Sequence, residues 1–302
     1  MTNQTKGKSR LKSKYTLIGI LFLLPAVIIY LIFVLIPFFD SLVLSFQSWD
    51  GFSDRKFIGL TNYARAFQDT TFQTGIRNSV YLGFFSSIVS VIVGVILAWL
   101  LLYVGRRSGA FFRTILFSPS MIPAVITGLI FGFVFEPDMG VLNNLLGALG
   151  LHNMQTAWLT NRATVLNCLL FVSAWKQVGL TMVLCFAGMQ SINMSLIESS
   201  RLDGANDFHI FTKIIIPLTM PIIQLSAIFA LMSGLKIYDT VVALTNGGPA
   251  RFSIVMPMWI LENTFSYNDF GYGAAMSMIF VVIVLIGMVL VKKVVRGDSY
   301  EQ

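Results

Sequence analysis

The reading turns on one polar stretch, Ser191-Ile-Asn-Met-Ser195-Leu-Ile-Glu198-Ser-Ser-Arg201-Leu-Asp203-Gly204-Ala-Asn-Asp207-Phe208-His209-Ile-Phe211-Thr-Lys213-Ile-Ile-Ile-Pro217. It lies between two apolar runs, Thr164–Met189 and Leu218–Tyr238, each long enough to cross a bilayer. A connection between two such spans has no need of helical patterning, yet this one carries it. Ser195 with Glu198 three residues later has the capping-box spacing, and Glu198 and Arg201 are i,i+3 neighbours. Gly204 stands where a helix stops in the left-handed conformation. A second short helix is expected to start near Asn206 or Asp207 and run towards Pro217. The result is a bent two-helix knob whose Ile197, Leu202, Phe208 and Phe211 give it apolar faces. Its three acids, two bases and one histidine suit a groove in a protein better than anionic lipid. An amphipathic elbow lying on the bilayer surface is the alternative.

Outward from this knob the chain is apolar. Of 302 residues, 56% are hydrophobic and only 12% charged, against about 25% charged in soluble domains. That composition excludes both an ordinary soluble fold and disorder. Six stretches of at least 20 residues are predicted to be membrane-spanning helices: Thr16–Phe39, Ser79–Val104, Ile115–Phe135, Thr164–Met189, Leu218–Tyr238 and Gly271–Val291. Each covers about 30 Å as a helix, and only helices satisfy their own backbone in lipid. The fold class is therefore all-α, a polytopic membrane protein of six transmembrane helices. The first stretch holds Pro25 and Pro37 and has no small-x-small exit, so it reads as a retained anchor.

The net charge of +7 is a matter of topology. Lys6, Lys8, Arg10, Lys12, Lys14, Arg106, Arg107, Arg113, Arg201, Lys213, Lys292, Lys293 and Arg296 crowd both tails and the second and fourth connections. Arg55, Lys56, Arg65, Arg77, Arg162 and Arg251 are spread over the longer first, third and fifth connections. By the positive-inside rule both tails are cytoplasmic. The division expected is a tail over 1–15, a membrane domain over 16–291 containing the knob at about 190–217, and a tail over 292–302. Cys168 and Cys185 fall inside one apolar stretch, form no C-x-x-C pair, cannot bracket a metal site alone and read as buried fillers.

Polar residues inside the spans are the candidates for a solute path. Lys176 lies near the middle of the fourth span, with Asn167, Trp175 and Gln177 around it. Hydrogen bonds and aromatic stacking are what a hydroxyl-rich solute needs, although a polar strut between helices explains the same residues. Lys236 and Asp239, i,i+3 at the end of the fifth span, read as an interfacial ion pair or as snorkelling side chains. His152 and His209 fall in different connections and cannot share a catalytic or metal site.

The pattern Glu198-x5-Gly204-x9-Ile214-x-Ile216-Pro217 resembles the E-A-A-x3-G-x9-I-x-L-P loop of binding-protein-dependent ABC-transporter permeases, with Ser199 and Ser200 for the alanines and Ile216 for leucine. Arg201-Leu-Asp203-Gly204-Ala205 is similar to the version in carbohydrate-uptake permeases. Phe57-Ile-Gly-Leu-Thr-Asn-Tyr63, Trp175-Lys176-Gln177 ahead of Gln190-Ser-Ile192, and Leu244-Thr-Asn-Gly-Gly-Pro249 resemble other family segments in the same order.

The resemblance implies a type I ABC importer permease fold in a bacterial inner membrane, importing a sugar or oligosaccharide. It implies a second permease subunit, two cytoplasmic ATPase subunits and an extracytoplasmic solute-binding protein. Glu198, Arg201, Asp203, Gly204, Ala205, Phe208 and Pro217 become the ATPase-coupling residues. The chain contains no G-x-x-x-x-G-K-[ST] phosphate loop. No cofactor is expected in this chain; ATP and Mg belong to the partners, and the chain itself is not an enzyme. An ion-coupled secondary transporter is the alternative, weakened by the lack of a central intramembrane carboxylate and of a visible inverted repeat. A membrane enzyme is weaker still, since no nucleophile–base or metal cluster converges.

Overall fold

The structure, a computed structural model, describes residue 19 and residues 21–295. The basic residues of the N-terminal tail, Arg296 and the start of the first apolar stretch lie outside the described residues. The helices are α1 (Leu21–Leu44), α2 (Thr61–Gln68), α3 (Thr70–Leu102), α4 (Arg106–Met121), α5 (Ala124–Val134), α6 (Val141–Ala148), α7 (Val165–Gln190), α8 (Met194–Leu202), α9 (Asp207–Leu235), α10 (Asp239–Leu244), α11 (Met256–Leu261) and α12 (Phe270–Val294). The strands β1 (Gln47–Ser48) and β2 (Lys56–Phe57) form one antiparallel pair, Gln47 opposite Phe57 and Ser48 opposite Lys56.

Five helices, α1, α3, α7, α9 and α12, are each long and apolar enough to cross a membrane. The third expected span is broken. Where Ile115–Phe135 reads as one continuous helix, α4 and α5 meet at a bend of 98°. The cause is local. Pro123 offers no N–H and its ring drives the preceding residue out of the helical region, so Ile122 is extended at φ −71°, ψ 125°. Apolar composition runs through the proline unchanged, which is why hydropathy alone does not register the break.

Two other prolines leave their helices whole. Pro37 and Pro217 each follow a π turn, Leu31–Leu35 and Phe211–Ile215, in which the amides of Ile36 and Ile216 donate to the carbonyls of Leu31 and Phe211. The wider turn sits where an α-helical carbonyl would meet the proline ring. Consequently the expected short helix from Asp207 towards Pro217 is not separate: it is the first part of α9, which continues to Leu235.

The chain divides into two compact units. The first comprises the described residues up to Ala64 together with Asn263–Met278. In it the Phe57–Tyr63 segment folds back under the end of α1. Buried Asn62 donates to the carbonyls of Ser45 (3.1 Å) and Gln47 (2.9 Å), and the Tyr63 hydroxyl meets Ser45 Oγ at 2.7 Å. Arg55 forms a bidentate pair with Asp40 at 2.8 and 3.3 Å and lies over the Trp49 ring.

The second unit, Arg65–Glu262 with the described residues from Ile279 on, is centred on α3, α7 and α9, which pack on one another, with α4 against α7 and α10 against α5. Close approach depends on glycine. A Cβ on Gly234 of α9 would stand 2.7 Å from Gly83 Cα of α3, and one on Gly179 of α7 would overlap the backbone of α4 at Leu116 and Phe117. α3 begins nine residues before its apolar stretch because Asp69 caps it, accepting from the amides of Thr71 (2.8 Å) and Phe72 (3.0 Å). Beyond that cap, buried Asn78 donates to the carbonyls of Phe252 and Ile254, both at 2.8 Å.

Candidate functional site

The elbow is built as a stop and a restart. Asn193, not Ser195, is the first cap: its side chain accepts from the Ser195 amide at 3.1 Å. Capping needs extended backbone at the capping residue, and Asn193 (φ −63°, ψ 122°) has it. α8 ends in a Schellman turn. Gly204, at φ +87°, donates to the Arg201 carbonyl (3.1 Å), and the Ala205 amide donates to the Ser200 carbonyl (3.0 Å). Asn206 then caps α9, accepting from the His209 amide at 2.8 Å. The expected Glu198–Arg201 contact gives way to a bridge across the turn: Arg201 reaches Asp207 at 2.9 Å. The Asp207 carboxylate raises the guanidinium pKa above its ordinary value.

One side of the elbow is anchored. Ile210, Phe211 and Ile215 are buried with Val95, Ala98 and Leu101 of α3 and Met182, Cys185, Phe186 and Met189 of α7, and Ile197 and Ala205 pack against this cluster. Phe211 stacks on Trp99 with centroids 4.3 Å apart. The other side is bare. Leu202 is 90% exposed and Phe208 69%, and Glu198, Arg201, Asp203 and Asp207 are exposed around them. A hollow of about 450 Å³ beside the turn is lined by Ser200, Asp203, Gly204, Ala205, Asn206, His209 and Ile214. Pro217 lies within α9, beyond the elbow.

The polar residues of the spans sort into two groups. Lys176, Gln177, Lys236 and Asp239 line one cleft of about 280 Å³ with Ala124 and Ser173. A second cleft of about 270 Å³, with Ser120, Thr181 and Ser226, shares Lys176, Gln177 and Ser233 with the first. Trp175 and Asn167 lie elsewhere. The Trp175 ring meets Phe131 edge to face at 5.1 Å, within the packing of α5 against α7. Asn167 is exposed and accepts from the Tyr81 hydroxyl at 2.7 Å. Helical periodicity explains the division, since residues 175 and 176 are about 100° apart around the helix.

Lys176 Nζ donates to the Ile122 carbonyl at 3.0 Å. That carbonyl belongs to the break between α4 and α5, where the last carbonyls of α4 carry the negative end of its dipole. A charge in mid-span costs about 2.5–3.5 kcal/mol on insertion scales, and this contact offsets part of it. Among the described residues Lys236 and Asp239 form no ion pair with each other. Lys236 is the C-cap of α9 and Asp239 the first residue of α10, so each faces a favourable helix end instead. Gln177 Oε1 is buried and has no hydrogen-bond partner among the described residues.

The sequence reading did not single out Asn78, Asn143 or Asp69. Asn143 holds the third connection together, donating to the carbonyls of Pro137 (2.8 Å) and Thr156 (3.0 Å) and accepting from Trp158 Nε1 (2.7 Å). Side-chain-to-backbone bonds of this kind span long sequence separations and leave no periodic trace.

Comparison with known proteins agrees with this architecture. The family described as "Binding-protein-dependent transport system inner membrane component" matches residues 90–297. "Probable ABC transporter permease protein YurN" of Bacillus subtilis (strain 168) is 35% identical over 271 residues, covering 89% of this chain and 92% of its own length. "Diacetylchitobiose uptake system permease protein NgcF" of Streptomyces coelicolor is 31% identical over 274 residues, 87% of this chain and 78% of that one. In fold, the chain resembles the crystal structure of a bacterial ABC transporter involved in the import of the acidic polysaccharide alginate, with a TM-score of 0.79 at 23% identity over 96% of this chain and 98% of that chain. A helical chain with an apolar-tipped elbow between its fourth and fifth spans, matched along most of its length by transport permeases, belongs to the family of binding-protein-dependent transport system inner membrane components.

Proposed function

We propose that this chain is the permease subunit of an ATP-driven importer of a sugar or oligosaccharide. It forms the translocation path with a second permease subunit. Two cytoplasmic ATPase subunits, which hold the ATP and Mg, drive it, and an extracytoplasmic binding protein delivers the solute. Both termini are placed in the cytoplasm, which the greater density of Lys and Arg in the tails and the second and fourth connections supports. Family membership supports the transport role, and the diacetylchitobiose uptake system among the relatives supports a saccharide.

The observation that carries the coupling role is the contrast between the two faces of the elbow. Its inner face is locked into α3 and α7, while Leu202 and Phe208 stand out from it. An exposed apolar tip ringed by charges is a surface made for a groove in another protein. A short helix capped at one end and closed by a Schellman turn at the other transmits displacement with little compliance. ATP-driven closure of the ATPases would push this tip, tilt α7 and α9 through the anchored face, and switch the cavity between inward and outward access. Glu198 would meet polar groups of the motor and Pro217 would seat the far end of the elbow in the membrane. The ion-coupled alternative finds no support in the family match.

The experiment is uptake of labelled saccharide into proteoliposomes carrying the chain with its partner permease, ATPase and binding protein. Uptake should require hydrolysable ATP. Accumulation driven by an ion gradient without ATP would refute the reading.

A further inference from the structure

The break between α4 and α5 places the Ile122 carbonyl outside both helices; the Ile122 amide donates to the Pro119 carbonyl at 3.3 Å, and Pro123 has no N–H to offer the others. The only mid-span ammonium of α7 is directed there, Lys176 Nζ to the Ile122 carbonyl at 3.0 Å. The same side chain stands where the two clefts meet. Ser120, just before the break, lines one cleft, and Ala124, just after it, lines the other. Gly179, one turn on from Lys176, lets α4 lie directly on α7, so the two backbones are already in register for this contact.

We propose that Lys176 is a positioning residue of the permeation path: its ammonium pins the broken third span at Ile122 and thereby sets the relative orientation of α4 and α5, and with it the passage between the two clefts. A rigid continuous helix has no joint here. A broken one with a charge-assisted hydrogen bond at the break has a joint with a latch. Asp239, which lines the same cleft with the opposite charge, is the group the ammonium turns to when the latch opens, and Lys236 is the competing cation.

The test uses the complete transporter in proteoliposomes. Lys176→Met keeps an unbranched side chain of nearly the same length, one atom shorter, and removes the donor; Lys176→Arg keeps a cation. The Met variant should lower maximal uptake about tenfold, the loss expected for one hydrogen bond to a charged group, with the half-saturating solute concentration essentially unchanged and ATP hydrolysis continuing uncoupled. Arg should restore most of the uptake. In a Cys168→Ser, Cys185→Ser background, Ser120→Cys should react faster with a thiol reagent when Lys176→Met is added, and no faster with Lys176→Arg. A raised half-saturating concentration at full maximal uptake would make Lys176 a solute contact and overturn the latch, as would a Met variant indistinguishable from the parent. If the Met protein is not recovered from membranes, Lys176→Gln, which is shorter and uncharged, replaces it; labelling of Ser120→Cys no faster than in the parent then overturns the latch. The inference rests on the ATP-driven reading, and the outcomes separate the two. Uptake without ATP in the parent removes the reading, whereas ATP-dependent uptake indifferent to residue 176 removes only the latch.

Discussion

At the scale of single residues, asparagine and aspartate do most of the joining. Asn78 is fully buried and ties α3 to the carbonyls of Phe252 and Ile254. Asn78→Ala leaves both carbonyls without their donor at a cost of about 1–3 kcal/mol, so the unfolding midpoint in detergent should fall by about 5 °C; an unchanged midpoint would show these bonds to be dispensable. Asp50 works differently. Its carboxylate accepts from the Ser53 and Phe52 amides and the Ser53 hydroxyl, which lower its pKa to about 2. Because the folded pKa lies below the unfolded value of about 3.9, the stabilisation of this turn is complete above pH 4 and is lost as the pH falls towards 2. Hydrogen-exchange protection of the Phe52 and Ser53 amides should fall across that window, while Asp50→Asn should show no such pH dependence. Neither role was visible in the sequence: an asparagine inside an apolar run looks the same whether it meets a solute, a backbone carbonyl or a neighbouring helix. Lys176 illustrates this, since its expense in a span was legible and its partner, 54 positions earlier, was not.

At the scale of elements, the elbow was the most legible part. The glycine at φ +87° and the Schellman turn stand where the spacing places them. Nothing lies within 4 Å of a Cβ built on Gly204, so Gly204→Ala costs only the backbone strain of a left-handed alanine, about 1 kcal/mol. The protein should insert normally, yet show reduced transport per ATP hydrolysed; full coupling would remove the bend from the mechanism. The choice of cap and of ion-pair partner escaped the sequence because Ser195 and Asn193, or Glu198 and Asp207, are chemically equivalent choices until the backbone angles are known. Helix crossings are the opposite case. Gly234→Val would place branched carbon atoms against the Gly83 backbone, where a Cβ alone would stand 2.7 Å away. Overpacking of about 1–3 kcal/mol should then appear as reduced yield of folded protein in detergent, and normal yield with an unchanged midpoint would contradict the close contact.

At the scale of the whole molecule, the exposed tip sets the clearest prediction. Leu202→Asp and Phe208→Asp alter side chains that touch water, so stability should change by no more than about 0.5 kcal/mol. Capture of the ATPase subunits should fall about tenfold or more, the range for an apolar anchor lost from an interface. Retained capture in the double variant would place the motor elsewhere.

By itself the sequence determined that the chain lives in a membrane as helices, where the polar elbow falls, and which family it joins. Those follow from length, hydropathy and local spacing, because lipid forces each span to satisfy its own backbone and a left-handed turn demands glycine. The break in the third span has its cause in the sequence, at Pro123, but only the tertiary structure decided that Lys176 answers that break and that Trp175 and Asn167 lie away from the cleft. Each depends on which helix lies against which. That arrangement is set by close approach at glycines and by hydrogen bonds between distant residues, and neither has a period that a linear pattern can carry.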